Sequence, residues 1–404
     1  MKEILDVYKE LQSDNGFFEN QFSQIHWNKN VLFVNPQLNG RHFYKYILPY
    51  IVMYEFDAWS TALTSMDKYK PNKEYESVKI ALNSKQILWA DYIVLPFTCD
   101  NLTEAYQSIR NINPDINIVF NVDFNYYQIS KLHPLHEKFT NEENVSNIED
   151  NIFYSDLTLV TNGKLAEFLT SKFATELNDK KYKDIYSGVH IGTIPLFVDD
   201  TLILENIELD SPRLTVEELK PLRIGIIASN YTWEDLNSYK ELFKEVQDKM
   251  GDKVKFIVLG FDGIDHFTKK SCFPEGFNFE YIKPSTIVHY YKQLRNLSLD
   301  MVFVPLRVND FNTTSENYNK FLEAGLFNVP LMVYDSYPYN QLIKNGDTGI
   351  LLSKKSDFKD KIEFFEQNKA ELKRMGINAN KFIVENLTFN EDNLAIIDDI
   401  YTLD

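Results

Sequence analysis

Short, unbroken apolar runs recur along this chain, with amphipathic stretches between them. In the first half the runs are Asn30–Asn35 (NVLFVN), Ala90–Pro96 (ADYIVLP), Ile116–Val122 (INIVFNV), Leu157–Val160 (LTLV) and Ile191–Pro195 (IGTIP). Because they are continuously apolar rather than alternating, they predict strands covered on both faces, as in a parallel sheet. The stretches Leu102–Ile109 and Gly163–Phe173 repeat at helical spacing between them. The rhythm restarts at Leu222–Ala228 (LRIGIIA), followed by a helix around Leu236–Met250 and then by Val254–Gly260, Phe277–Ile282, Met301–Leu306, Val329–Val333 and Ile350–Leu352. Strands alternating with helices predict an open α/β sheet, here built twice as two Rossmann-like halves. Residues 206–221, NIELDSPRLTVEELKP, are polar, carry two prolines and break the rhythm, so they read as a linker between domains at 1–205 and 222–387. The tail, Ile377 to Asp404, reads as helical.

Length and composition agree with two globular domains. At 404 residues the chain exceeds one ordinary core, and its 44% hydrophobic and 14% aromatic content is enough to bury two. A net charge of −17 argues against a general nucleic-acid binder, which needs a basic surface to displace phosphate counterions. Cys99 and Cys272 stand alone and far apart, which fits a reducing compartment and excludes a disulfide framework. The opening MKEILDVYKELQ is amphipathic and charged, without the apolar centre of a signal peptide, and no run is long enough to span a bilayer. A cytoplasmic protein is expected, with room for peripheral contact with a membrane face. The abundance of Asn, Lys, Ile and Tyr matches an AT-rich bacterial genome.

The densest chemistry lies between Asn309 and Leu352. Thr313, Thr314, Ser315 and Glu316 form a capping-box pattern, which predicts a helix beginning near Thr314. On that helix Glu316, Lys320 and Glu323 follow at i, i+4 and i+7 and share a face, while Phe321, Leu322 and Leu326 turn to the core. A helix start at the carboxyl end of a parallel strand suits an anionic diphosphate, which brings in the backbone around Thr314 and Ser315. Glu323, two turns on, is placed to accept from a ribose hydroxyl pair. Glu316 fits two readings: a contact near the ligand, or a cap with an exposed ion pair to Lys320 worth about 0.3–0.5 kcal/mol.

Other strand ends add candidates. Gly40 sits between the first strand and a helix, where a glycine permits close backbone approach to a ligand or simply a turn. Asp123 ends a strand and reads either as a polar contact in a site or as a turn residue beside Asn125. Ser229 and Asn230 follow LRIGIIA, and Phe261 and Ile282 lie at or beyond later strand ends, with Phe261 open to base stacking or to the core. His133 and His136 flank a proline without further ligands nearby, so no metal site is expected. The G-x-G-x-x-G dinucleotide fingerprint is absent.

K-F-L-E-A-G-x-x-x-V-P-L from Lys320, with Y-N-Q-L-I-K-N-G-D-T-G-I-L-L from Tyr339, resembles the carboxyl-terminal signature of retaining, family-4-like glycosyltransferases of the GT-B fold. The resemblance implies an α/β protein of two facing Rossmann-like domains with an interdomain cleft, and a last helix, about 388–404, crossing back onto the first domain. It implies transfer of a sugar from a UDP- or GDP-linked donor to a glycan, lipid-linked or protein acceptor. It implies no cofactor beyond that donor, and without a D-x-D motif the reaction is expected to need no metal. In the family's E-x7-E frame Glu323 matches the second glutamate, which contacts the donor ribose. The first falls on Ser315, with Glu316 one residue late, so its role near the transferred sugar passes to Glu316 or to backbone amides. Around the first loop Gly40, Tyr44, Lys45 and Pro49 match the family pattern, and Asp123 corresponds to its polar cleft position. The family's G-R-x-x-x-x-K cations after LRIGIIA are missing, which leaves Lys320 as the expected counter-charge to the diphosphate and Arg41 or Lys45 as alternatives. A GT-B-shaped nucleotide-sugar epimerase and a catalytically weak sugar-nucleotide-binding scaffold are the competing functions.

Overall fold

A computed structural model describes residues 29–34, 40–64, 82–176, 189–205, 221–265 and 268–402. The amphipathic opening, the loop 35–39 and linker residues 206–220 lie outside the described residues, as does the side chain of Arg41. The chain forms two compact units: Met1–Gln128 with Glu137–Leu202 and Phe389–Asp404, and Ile129–His136 with Ile203–Thr388.

In the first unit the strands are β1 (Asn30–Phe33), β2 (Ser60–Leu63), β3 (Tyr92–Leu95), β4 (Asn117–Asn121), β5 (Leu157–Val160) and β6 (Ile191–Thr193). They form one sheet in the order β2-β1-β3-β4-β5-β6, every pair parallel. Full burial of β1 and β3 is what their apolar runs predict. The sequence rhythm misses β2, whose STAL is half polar, yet all four of its residues are buried at the sheet edge. The helix Glu391–Ile400 belongs to this unit: Asp398 Oδ1 accepts from Lys29 Nζ at 2.7 Å and from Trp59 Nε1 at 2.9 Å. Tyr401 then packs edge-on against Trp59 and Tyr92. The expected helical tail is two helices, Lys369–Asn386 and Glu391–Ile400, of which the first belongs to the second unit.

The second unit repeats the plan with β7 (Leu222–Ile227), β8 (Val254–Leu259), β9 (Phe279–Ile282), β10 (Met301–Val304), β11 (Leu331–Tyr334) and β12 (Gly349–Leu352), ordered β12-β11-β10-β7-β8-β9 and again all parallel. Its core is aromatic, with Phe243, Phe256, Phe273, Phe277, Phe303 and Phe358 buried together. The helix expected over Leu236–Met250 divides into Trp233–Asn237 and Lys240–Met250, because Ser238 Oγ donates to the Asp235 carbonyl at 2.6 Å and closes the first turn. Strand order reverses between β7 and β10, the switch point where ligands of open α/β sheets bind beyond the strands' carboxyl ends. Gly260 shapes that edge: its φ is +91°, and a Cβ there would stand 2.6 Å from the Ala228 carbonyl oxygen at the end of β7. Only glycine fits both demands.

Candidate functional site

Beyond β10 the structure corrects the expected helix. Asn309, not Thr313, caps the first turn, accepting from the Asn312 amide at 2.7 Å, and the helix runs only from Asp310 to Ser315. Glu316 is the extended C-cap residue, with ψ at 146°, and a second helix, Asn319–Gly325, follows. The Thr313–Glu316 capping box therefore does not form, and Glu316 does not share a helix with Glu323. Thr314 turns inward and donates to the Asp310 carbonyl at 2.6 Å, while Ser315 ends the first helix.

The break nevertheless brings the three charged residues together. Lys320 Nζ lies 2.8 Å from Glu316 Oε1, with side chains only 14% and 20% exposed, and Tyr339 Oη donates to the same oxygen at 2.9 Å. This is a largely enclosed pair with a third group, Tyr339, on the shared oxygen, not the exposed pair that i, i+4 spacing alone suggests. Glu323 is deeper, at 3% exposure; Tyr290 Oη donates to one carboxylate oxygen at 2.6 Å and Asn319 Nδ2 to the other at 3.0 Å. Burial works against the Lys320 charge, but Glu316 first and then Glu323 and Asp235 hold the ammonium above its ordinary value. Burial and the neighbouring Glu323 raise the Tyr290 phenol, and burial and Glu316 raise that of Tyr339, so both stay donors.

A second charged group sits at the switch point, and sequence reasoning missed it. Arg307 follows β10, and its Nε donates to Asp235 Oδ1 at 2.9 Å and its Nη1 to Glu234 Oε1 at 3.0 Å. Asn312 Nδ2 adds a bond to the same Asp235 oxygen at 2.8 Å, and Ser130 Oγ one to Glu234 at 2.8 Å. Burial opposes the guanidinium charge, but Asp235 and Glu234 keep it above its ordinary value. The one available signal was a lone arginine directly beyond an apolar run, in VPLRV.

The remaining second-unit candidates occupy the same strand edge in different ways. Ser229 caps a short turn, accepting from the Tyr231 amide at 3.3 Å, and Asn230 is the first residue of that turn. Phe261 is 4% exposed within the hydrophobic core, the core member of its two readings. The Ile282 carbonyl accepts from the Gly260 amide at 2.9 Å and ties β9 to the end of β8. The segment Ile129–His136 also belongs here: the His133 ring stacks on Tyr231 at 5.2 Å, its Nδ1 accepts from the Leu135 amide, and His136 Nδ1 faces the Ile129 carbonyl. No group of three His, Cys, Asp or Glu side chains among the described residues is arranged to hold a metal ion.

In the first unit Asp123 is sealed. Its Oδ1 meets Lys45 Nζ at 2.6 Å, with side chains 4% and 6% exposed. Lys45 lies in a rare π-helical turn, Phe43–Ile47. Engaged in this way, Lys45 is not a spare counter-charge. Among the described residues, a Cβ at Gly40 would meet nothing within 4 Å.

No protein-family model and no curated protein matches the chain. Solved structures do match it. HepE (Alr3699) of Anabaena, in complex with UDP and glucose, is 12% identical at a TM-score of 0.57, covering 93% of this chain and 100% of that one. Sucrose-phosphate synthase of Thermosynechococcus elongatus is 10% identical at a TM-score of 0.57, covering 93% and 98%. An alpha-glucosyltransferase in complex with UDP is 11% identical at a TM-score of 0.60, covering 92% and 99%. At such identities the likeness is one of fold. With its two parallel six-stranded sheets, the chain has the GT-B fold.

Proposed function

We propose that this protein is a glycosyltransferase that moves a sugar from a UDP- or GDP-linked donor to an acceptor hydroxyl, with retention and without a metal, in the bacterial cytoplasm during glycan or polysaccharide synthesis. The observation that carries this reading is the enclosed Glu316–Lys320–Glu323 group beyond β10, in a fold that two of the solved neighbours, HepE and the alpha-glucosyltransferase, show in complex with UDP. In the reaction, the bond between the anomeric carbon and the diphosphate oxygen breaks with its electron pair on the diphosphate. The acceptor oxygen bonds to that carbon and its proton passes to the released diphosphate.

Lys320, held charged by Glu316, is assigned to the growing negative charge of the leaving group, an electrostatic contribution made by a fixed side chain. Glu323, already oriented by Tyr290 and Asn319, is assigned to the donor ribose. Glu316 is assigned to positioning Lys320 and to the neighbourhood of the transferred sugar. Ser315, Thr314, Ser229, Asn230 and Gly40 are assigned to the surroundings of the nucleotide, and Asp123 to a polar contact with sugar or acceptor. The acceptor is a glycan, a lipid-linked sugar or a protein.

Titration calorimetry with UDP and GDP, followed by donor turnover with and without a panel of acceptors, tests the reading. Tight nucleotide binding with acceptor-dependent release of UDP or GDP is expected. An epimer or free sugar formed without acceptor would make the protein an epimerase, and binding without any turnover would make it a scaffold.

A further inference from the structure

Lys355, three residues beyond β12, is a half-buried cation. Its Nζ stands 4.8 Å from the centre of the Tyr239 ring, and among the described residues it makes no hydrogen bond and no ion pair. Tyr239 in turn donates from Oη to the carbonyl of Leu306, the residue before Arg307. Burial first and the Arg307 charge second push the Lys355 ammonium below its ordinary value, with Asp235 opposing.

Arg307 shows the complementary half of the arrangement. Its Nε and Nη1 are taken by Asp235 and Glu234, whereas Nη2 has no partner among the described residues. The two carboxylates fix the guanidinium plane and satisfy part of it, leaving donors for a further oxygen anion. Two cations, one following β10 and one following β12, are thus linked through Tyr239, whose ring faces Lys355 and whose hydroxyl meets the carbonyl of Leu306 beside Arg307, at the carboxyl edge of a parallel sheet and beside its switch point. A phosphate-type anion placed against both would relieve the repulsion and use the open donors.

We infer that Arg307 and Lys355 together bind the diphosphate of the donor, supplying from β10 and β12 the cations that this sequence lacks after β7. The identity of the anion rests on the glycosyltransferase reading; the existence of the anion site rests on the pair itself.

Lys355→Met tests the pair without opening the Arg307 carboxylate network. The variant is expected to melt at or above the wild-type temperature, to bind UDP about ten- to a hundredfold more weakly, and to bind uridine, which has no phosphate, as the wild type does. Lys355→Arg is expected to restore most of the UDP affinity. Unchanged UDP affinity in the folded variant overturns the inference, and so does an equal loss for uridine, which would make the effect structural. A wild type that binds neither UDP nor GDP removes the glycosyltransferase reading, and pyrophosphate then decides the pair. Pyrophosphate binding that Lys355→Met weakens sustains it, and no pyrophosphate binding overturns it.

Discussion

Each unit encloses a lysine–carboxylate pair, but the two pairs are built differently. In the first unit Lys45 and Asp123 meet at 2.6 Å, and both side chains are almost wholly out of water. In the second, Glu316 shares one oxygen between Lys320 and Tyr339, and Glu323 and Asp235 add to the potential at the same ammonium. The first gives its lysine one carboxylate partner among the described residues. The second places one cation among several acidic groups, so a bound anion can take over part of its interactions without leaving a charge stranded. Burial alone does not distinguish the two lysines; the number and reach of their acidic partners does.

Breaking the closed pair should have the largest effect. Lys45→Met removes the cation that faces the buried Asp123 carboxylate and is expected to lower unfolding free energy by about 3–5 kcal/mol, read from denaturant titration. A loss under 1 kcal/mol on that titration would mean that the pair is far better solvated than its burial implies. Lys320→Ala comes next: turnover should fall about a hundred- to a thousandfold, with a smaller change in UDP affinity, and wild-type turnover would refute its leaving-group role. Glu323→Gln keeps the size of a side chain that holds Tyr290 and Asn319, and should weaken UDP binding about tenfold in calorimetry with the fold retained. Unchanged affinity in that variant removes the ribose assignment. This milder substitution is the informative one, because Glu323→Ala would also take the acceptor from two half-buried donors.

The smallest effect concerns the two buried thiols, one in each unit. Burial pushes the Cys272 thiol up to about 12, so it stays protonated in the folded protein at pH 8. A raised folded value stabilises the protein fully below the unfolded thiol value, and that contribution is lost as pH climbs from there toward about 12. Ellman's reagent at pH 8 is therefore expected to label neither cysteine until denaturant is added. Rapid labelling of native protein would show that the cores open more readily than their packing indicates.

Most of the sheet was legible because fully buried parallel strands need unbroken apolar runs, and LTLV at Leu157–Val160 coincides with β5 residue for residue. The half-polar β2 was not, since its burial comes from neighbours and not from its own composition. Within the candidate site, the i, i+4, i+7 spacing places Glu316, Lys320 and Glu323 on one helix, and the structure keeps only Lys320 and Glu323 there. The helix start was misplaced because several polar residues compete to cap it, and Asn309 prevails over Thr313 through a bond that spacing cannot rank. Tyr290, Tyr339 and Asp235 complete the charge network from distant parts of the chain, where no local pattern announces them. Arg307 carried only its position beyond a strand.

The eight residues from Ile129 to His136 bear on how this protein can be dissected. They are encoded in the middle of the first unit, yet Ser130 supplies a hydrogen bond to Glu234 and His133 a flat face to Tyr231, both in the second. A fragment cut at the linker would carry all six strands of the second sheet and still lack these contacts, beside the very carboxylates that fix Arg307. On the glycosyltransferase reading proposed above, its nucleotide affinity is expected to understate that of the whole chain, and a peptide spanning 129–136 added in trans would be the reagent for measuring by how much.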